Sequence, residues 1–197
     1  IERAQKKVEE NNFGIRKRLL EYDDVMNSQR SVIYAKRRNA LFGERLDVDM
    51  SNMVFDVAED IVSEYKEAGN YEGFKLEVIK NFSADTSIDE NEFASKGIHP
   101  LTDKLFEEVT SFYTRKSDAI MDQAMPVLRQ VFAERGEQIE QIIVPFTDGL
   151  RHIQVPVGLK KAIDNGGREV TKSFEKTIVL ALIDESWKEH LREMDEL

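Results

Sequence analysis

Apolar residues recur along one side of the first 42 positions with the spacing of a heptad. Val8, Ile15 and Tyr22 repeat every seven residues, and Leu19, Met26, Ile33 and Ala40 repeat every seven, four residues out of phase. A stripe sustained over several heptads predicts one helix that lies along partners for most of its length. At 1.5 Å per residue such a helix reaches about 60 Å, roughly twice the width of a small domain. No proline precedes Pro100, and only Gly14 weakens the stretch, by about 1 kcal/mol relative to alanine. Gly43 suits a helix C-cap and ends it.

The pattern then shortens. An amphipathic helix is predicted from about Asp49 to Ala68, with Met53, Val57, Ile61 and Tyr65 on one face, closed by Gly69-Asn70. A further helix over Tyr71 to Phe82 offers Phe74, Val78, Ile79 and Phe82. The polar stretch from Ser83 to His99 holds a short helix entered from Ser87 through Asp89 and Glu90. Pro100 fits the first turn of a long helix to about Arg135, whose buried side is Leu101, Leu105, Val109, Phe112, Ile120, Ala124, Leu128 and Val131. Pro126 should kink or divide it.

Ile139 to Phe146 and His152 to Val157 are β-prone and flank Thr147-Asp148-Gly149, a hairpin signal. Pro145 and Pro156 restrict them to short or edge-type strands. A final helix runs from about Arg168, its stripe being Phe174, Leu180, Ile183, Trp187, Leu191 and Met194. The expected fold is mainly α: the long first helix packs antiparallel with the C-terminal one. Residues 46–157 form a helical excursion between them, ending in a small β-hairpin. Core packing is the ordinary reading of every such stripe.

Charge divides the chain in the same way. Residues 1–45 carry 11 Lys/Arg against 7 Asp/Glu, residues 46–150 carry 9 against 22, and the remainder 8 against 9, within a net charge of −10. A basic rod joined to an acidic body implies different surroundings for the two, and the acidic body should repel nucleic acid. The basic cluster Arg16-Lys17-Arg18 with Arg30 and Lys36-Arg37-Arg38 is interleaved with acids, as in Lys17 and Glu21, and reads as ion-paired helix surface.

Reactive chemistry finds little footing. Cysteine is absent, which removes disulfides and thiolate sites and fits a reducing compartment. No P-loop or dinucleotide fingerprint occurs. His190 lacks the second histidine that a helical zinc site requires, so no metal, cofactor or catalytic residue is expected. The longest apolar run, Ile178 to Ile183, is too short to span a bilayer. The sequence starts at Ile1, without a methionine, and stops at Leu197 inside a helical pattern, so both ends look cut from something larger.

Two segments carry a family resemblance. Ile1-Glu2-Arg3-Ala4-Gln5-Lys6-Lys7-Val8-Glu9, continuing through Leu19-Leu20-Glu21-Tyr22-Asp23-Asp24-Val25-Met26-Asn27-Ser28-Gln29-Arg30, resembles the long scaffold helix of the SecA family of bacterial protein-translocation ATPases. Trp187-Lys188-Glu189-His190-Leu191-Arg192-Glu193-Met194-Asp195 resembles the first helix of that family's two-helix finger.

The resemblance implies a scaffold helix at 1–45, a helical wing domain at 46–167, and a finger helix, cut short, at 168–197. Residues of about 136–167, including the hairpin, look like a lineage-specific insertion in or beside the wing. It implies a non-catalytic segment that couples ATP-driven motor domains to the SecY channel and the preprotein. ATP and magnesium would be bound only in the full-length protein, which would lie in the cytoplasm and peripherally on the inner membrane.

Partners implied are the nucleotide-binding and preprotein-binding domains, the SecYEG channel, the preprotein and a homodimer mate. The interaction residues expected are Val8, Ile15, Leu19, Tyr22, Met26 and Ile33 on the scaffold seam. On the finger helix they are Ile183, Trp187, Leu191 and Met194. A free-standing helical adaptor that dimerises through its long helix is the alternative. An enzyme using scattered carboxylates has no constellation to support it.

Overall fold

The structure, a computed structural model, describes residues 2–43, 45–136 and 138–196. Ile1 and Leu197, where the sequence looked cut, lie outside the described residues. The opening helix α1 is a single element, Glu2–Phe42, 41 residues long. Gly43 stops it at φ +71° and donates its N–H to the Ala40 carbonyl at 3.2 Å.

Helix α2, Leu46–Glu67, starts three residues before the expected Asp49, entered from Arg45 in the left-handed region at φ 63°. Asp47 and Asp49 sit in its first turn, where carboxylates favour the helix N-terminus. Helix α3, Tyr71–Phe82, starts at Asn70, whose side chain accepts the Gly73 N–H at 2.9 Å. In the same way Asp89 accepts the Glu92 N–H at 2.7 Å and opens the short α4, Glu90–Ser95.

Helix α5, Ile98–Arg135, has Pro100 in its first turn and passes Pro126 without dividing. Proline there removes one N–H, so the carbonyl of Asp122 loses its helical partner. Both residues are exposed, so water can serve that carbonyl.

The strands β1, Gln141–Thr147, and β2, His152–Gly158, pair antiparallel as the hairpin predicted them. Ile142 faces Val157, Val144 faces Val155, and Phe146 faces Ile153, and these pairs form the inward side. Both strands are edges, so each tolerates its proline. In the turn, Asp148 Oδ1 accepts the N–H groups of Leu150 at 2.8 Å and Arg151 at 2.6 Å, and Gly149 takes φ +90°. These backbone donors hold the Asp148 carboxyl below the usual range. The short α6, Leu159–Asp164, follows, and α7, Arg168–Asp195, ends the chain.

Contacts divide the molecule into two compact units. The first holds α1 and α7 from Ile178 onward; the second is Arg45–Thr177 and includes the start of α7.

The second unit has two apolar cores. In one, α2, α3, α4 and the front of α5 enclose Val62, Phe74, Val78, Leu101 and Leu105, all at 0% exposure. Each such side chain contributes about 1.5–3 kcal/mol on burial. Glu108 on α5 ties the 83–89 loop to this core. Its carboxylate accepts the hydroxyls of Thr86, at 2.6 Å, and of Ser87, and the Ser87 N–H at 3.1 Å. The other core joins Val155, Val157, Leu159, Ala162 and Val170 to Leu128 on the rear of α5.

Three stripes differ from expectation: on α3, Phe74 and Val78 are buried and Phe82 is half-buried, but Ile79 is exposed. On α2 the buried side is Ala58, Ile61 and Val62, with Val54 and Tyr65 beside it, while Met53 and Val57 are exposed. On α5, Phe112, Ala124 and Val131 are half-buried and Ile120 is exposed, whereas the unexpected Thr102 is fully buried.

Candidate functional site

The first unit places the resemblance residues on one pair of helices. Two polar contacts set their direction. Arg37 on α1 donates from Nε to Asp184 Oδ1 at 2.7 Å and from Nη2 to Oδ2 at 3.2 Å. Gln29 Oε1 lies 2.9 Å from His190 Nε2. Rising numbers on α1 meet falling numbers on α7, so the helices run antiparallel, as the sequence predicted.

Around those contacts the seam closes. Met26 and Ala40 are buried at 6% and 4%, and Ile33 is half-buried. On α7, Ile183, Trp187, Leu191 and Met194 are all half-buried. A helix with only one neighbour can hide no more than part of its surface, which accounts for the partial burial of α7. Trp187 stacks on His190 with ring centroids 5.4 Å apart.

The seam opens toward the N-terminus. Val8, Ile15 and Leu19 are 58%, 50% and 58% exposed, and Tyr22 is 37% exposed. The expected seam therefore has two halves: residues from Met26 onward meet α7, while the four before it face solvent.

Sequence reasoning missed the polar anchors. Arg37 belonged to a basic cluster read as helix surface, and His190 to the search for metal ligands. The available signal was their phase: Asp184, Trp187 and His190 follow one another at three-residue intervals on α7. The Arg37 guanidinium holds the Asp184 carboxyl below the usual range, first through the hydrogen bonds and then through its charge. Among the described residues, no group of three or more His, Cys, Asp or Glu side chains could hold a metal ion. No described helix is long and apolar enough to cross a membrane.

The protein-family comparison decides the family. The model described as "SecA Wing and Scaffold domain" matches residues 1–197. The chain belongs to the SecA wing and scaffold family. Its relatives include proteins named protein translocase subunit SecA. That of Parabacteroides distasonis is 52% identical, that of Porphyromonas gingivalis 51% and that of Flavobacterium psychrophilum 49%, each over 197 residues and the whole of this chain. The chain spans 17% of the first relative and 18% of the other two. No solved structure matches it. The matched span includes the hairpin.

Proposed function

We propose that this chain is the scaffold and wing segment of a SecA-type translocation motor, relaying nucleotide state from ATP-driven motor domains to the SecYEG channel and the preprotein. The half-open seam carries this reading. From Met26 onward α1 is covered by α7, while Val8, Ile15, Leu19 and Tyr22 stand bare in the same stripe. A long helix with one end sealed and the other apolar and open is suited to joining bodies.

In this reading the bare half docks on the motor's nucleotide-binding and preprotein-binding domains, and Ile183, Trp187, Leu191 and Met194 belong to the finger helix. The segment itself has no turnover. ATP and magnesium are bound elsewhere in the full-length protein, which works in the cytoplasm and peripherally at the inner membrane.

The test uses a complete translocase carrying this segment. Ile15→Glu with Leu19→Glu places two charges in the docking stripe and should lower preprotein transport into inverted membrane vesicles about tenfold. Leu76→Glu, on the exposed side of α3, should leave transport unchanged. Transport at the parent rate in the double variant would refute the relay.

A further inference from the structure

The hairpin carries an arrangement that its packing does not require. Leu159 donates its N–H to the Glu140 carbonyl at 3.0 Å, just outside the paired strands. Bonded and unbonded pairs alternate in an antiparallel ladder, so that contact fixes the phase. Ile142 with Val157, Val144 with Val155 and Phe146 with Ile153 are the pairs that bond across the hairpin. The residues between them turn their N–H and C=O groups outward, to the free edges. On β1 these are Gln141, Ile143, Pro145 and Thr147, and on β2 His152, Gln154, Pro156 and Gly158.

An unpaired edge is a template for an extended chain, and proteins close it by short strands, charges, bulges or proline. Here each strand is seven residues long. The register is unbroken over all its pairs, and neither strand holds a Lys, Arg, Asp or Glu. Ile143, 57% exposed, adds an apolar side chain to the open face. Uncharged, β-prone runs of this kind are the composition that recruits other strands. Of the devices carried by the strands themselves, proline alone is present, and each edge has it. Pro145 removes the donor between Ile143 and Thr147, and Pro156 the one between Gln154 and Gly158. Each ring also fills space that an incoming carbonyl needs. No more than two successive outward donors remain on either edge.

We infer that Pro145 and Pro156 close the two edges of the hairpin to strand addition by an extended polypeptide. This closure is independent of the relay role; beside an unfolded preprotein it keeps a passing chain from being held.

Fluorescence anisotropy of a dye-labelled peptide tests each edge in the folded 197-residue chain. The peptide copies residues 141–147 with Pro145→Val and carries lysines at both ends for solubility. The parent chain should bind it weakly. Pro145→Val, which reopens β1, and Pro156→Val, which reopens β2, should each bind at least about tenfold more tightly. Gln154→Val adds the same side chain to the same face without adding a donor, and should bind as the parent does. Circular dichroism should show each variant folded; Pro145→Ala and Pro156→Ala, which restore the donor with a smaller side chain, replace any that is not. Parent binding as tight as that of the proline variants would overturn the inference, and so would an equal gain in Gln154→Val. A folded proline variant that gains nothing would overturn it for its own edge. Transport is not read, so none of these outcomes bears on the relay.

Discussion

Arg37 and Asp184, 147 residues apart in sequence, meet through two hydrogen bonds of 2.7 and 3.2 Å and fix where α7 lies on α1. A guanidinium fork that engages both carboxylate oxygens admits little sliding, so the pair specifies register as well as attraction. The apolar seam alone cannot do this, since a shift of one heptad would replace one apolar contact with another.

That pair gives the helix contact an acid limit. The Asp184 carboxyl is held below its ordinary value, and an unfolded aspartate titrates near about 3.9. A depressed folded value means the stabilising contribution is complete above the unfolded pKa and is lost as pH falls through the folded one. Arg37 stays charged throughout. Trp187 is the only tryptophan and lies one helical turn from Asp184, so its fluorescence reports this contact. Emission should show a step below about pH 4. Asp184→Asn should remove that acid step; a titration unchanged in the variant would disprove the assignment.

The boundary of the covered seam can be located by truncation. Met26 is 6% exposed and Leu19, seven residues earlier in the same stripe, 58%. Met26→Ala should cost about 2–5 kcal/mol in urea unfolding followed through Trp187. Leu19→Ala should stay within about 0.5 kcal/mol in this chain, because it removes surface already in water. Equal costs at both positions would mean that the cover extends past Tyr22.

Much of this arrangement was legible in the sequence, and the exceptions share a cause. The bounds of α1 and α3 were readable because clear stops flank them, at Gly43 for α1 and at Asn70 and Ser83 for α3, although Ile79 of the expected α3 face is exposed. The buried side of α2 was not readable, since Val54, Val57, Ala58, Ile61 and Val62 support two overlapping stripes. Only the presence of both α3 and α5 as neighbours selects the side with Ala58 and Val62. Of the candidate site, sequence spacing identified the apolar seam but not where α7 stops covering it. Nor could it identify Arg37 and Asp184 as partners, because charge pairs across such a separation leave no local period. At Pro126 the helix is not divided, because a proline on an exposed helix side costs one hydrogen bond that water can replace.

Gly73 is required by a cap and not by its own dihedral angle. A Cβ there would lie 2.4 Å from Asn70 Nδ2 and 2.6 Å from Tyr65 Cε1. Alanine ordinarily improves a helix interior by about 1 kcal/mol over glycine. Here it should instead destabilise by about 1–3 kcal/mol, because Asn70 must release its N-cap bond or Tyr65 must move. Thermal unfolding of Gly73→Ala checks the sign, and a higher midpoint would show that the cap and ring yield freely.

Thr102 presents the opposite case, a residue whose polar atom weakens the fold around it. It lies at 0% exposure on α5, and its Oγ1 has no hydrogen-bond partner among the described residues. A buried hydroxyl in that state loses its bonds to water without compensation, at about 1–3 kcal/mol. Valine keeps nearly the same shape and replaces the hydroxyl with a methyl group suited to a fully buried position. Thr102→Val should therefore raise stability by about 1 kcal/mol, seen as a higher urea midpoint with an unchanged slope. Thr102→Ser retains the orphaned oxygen and removes the methyl, so it should lower the midpoint. If valine destabilised as much as serine, the hydroxyl would have to be satisfied in solution.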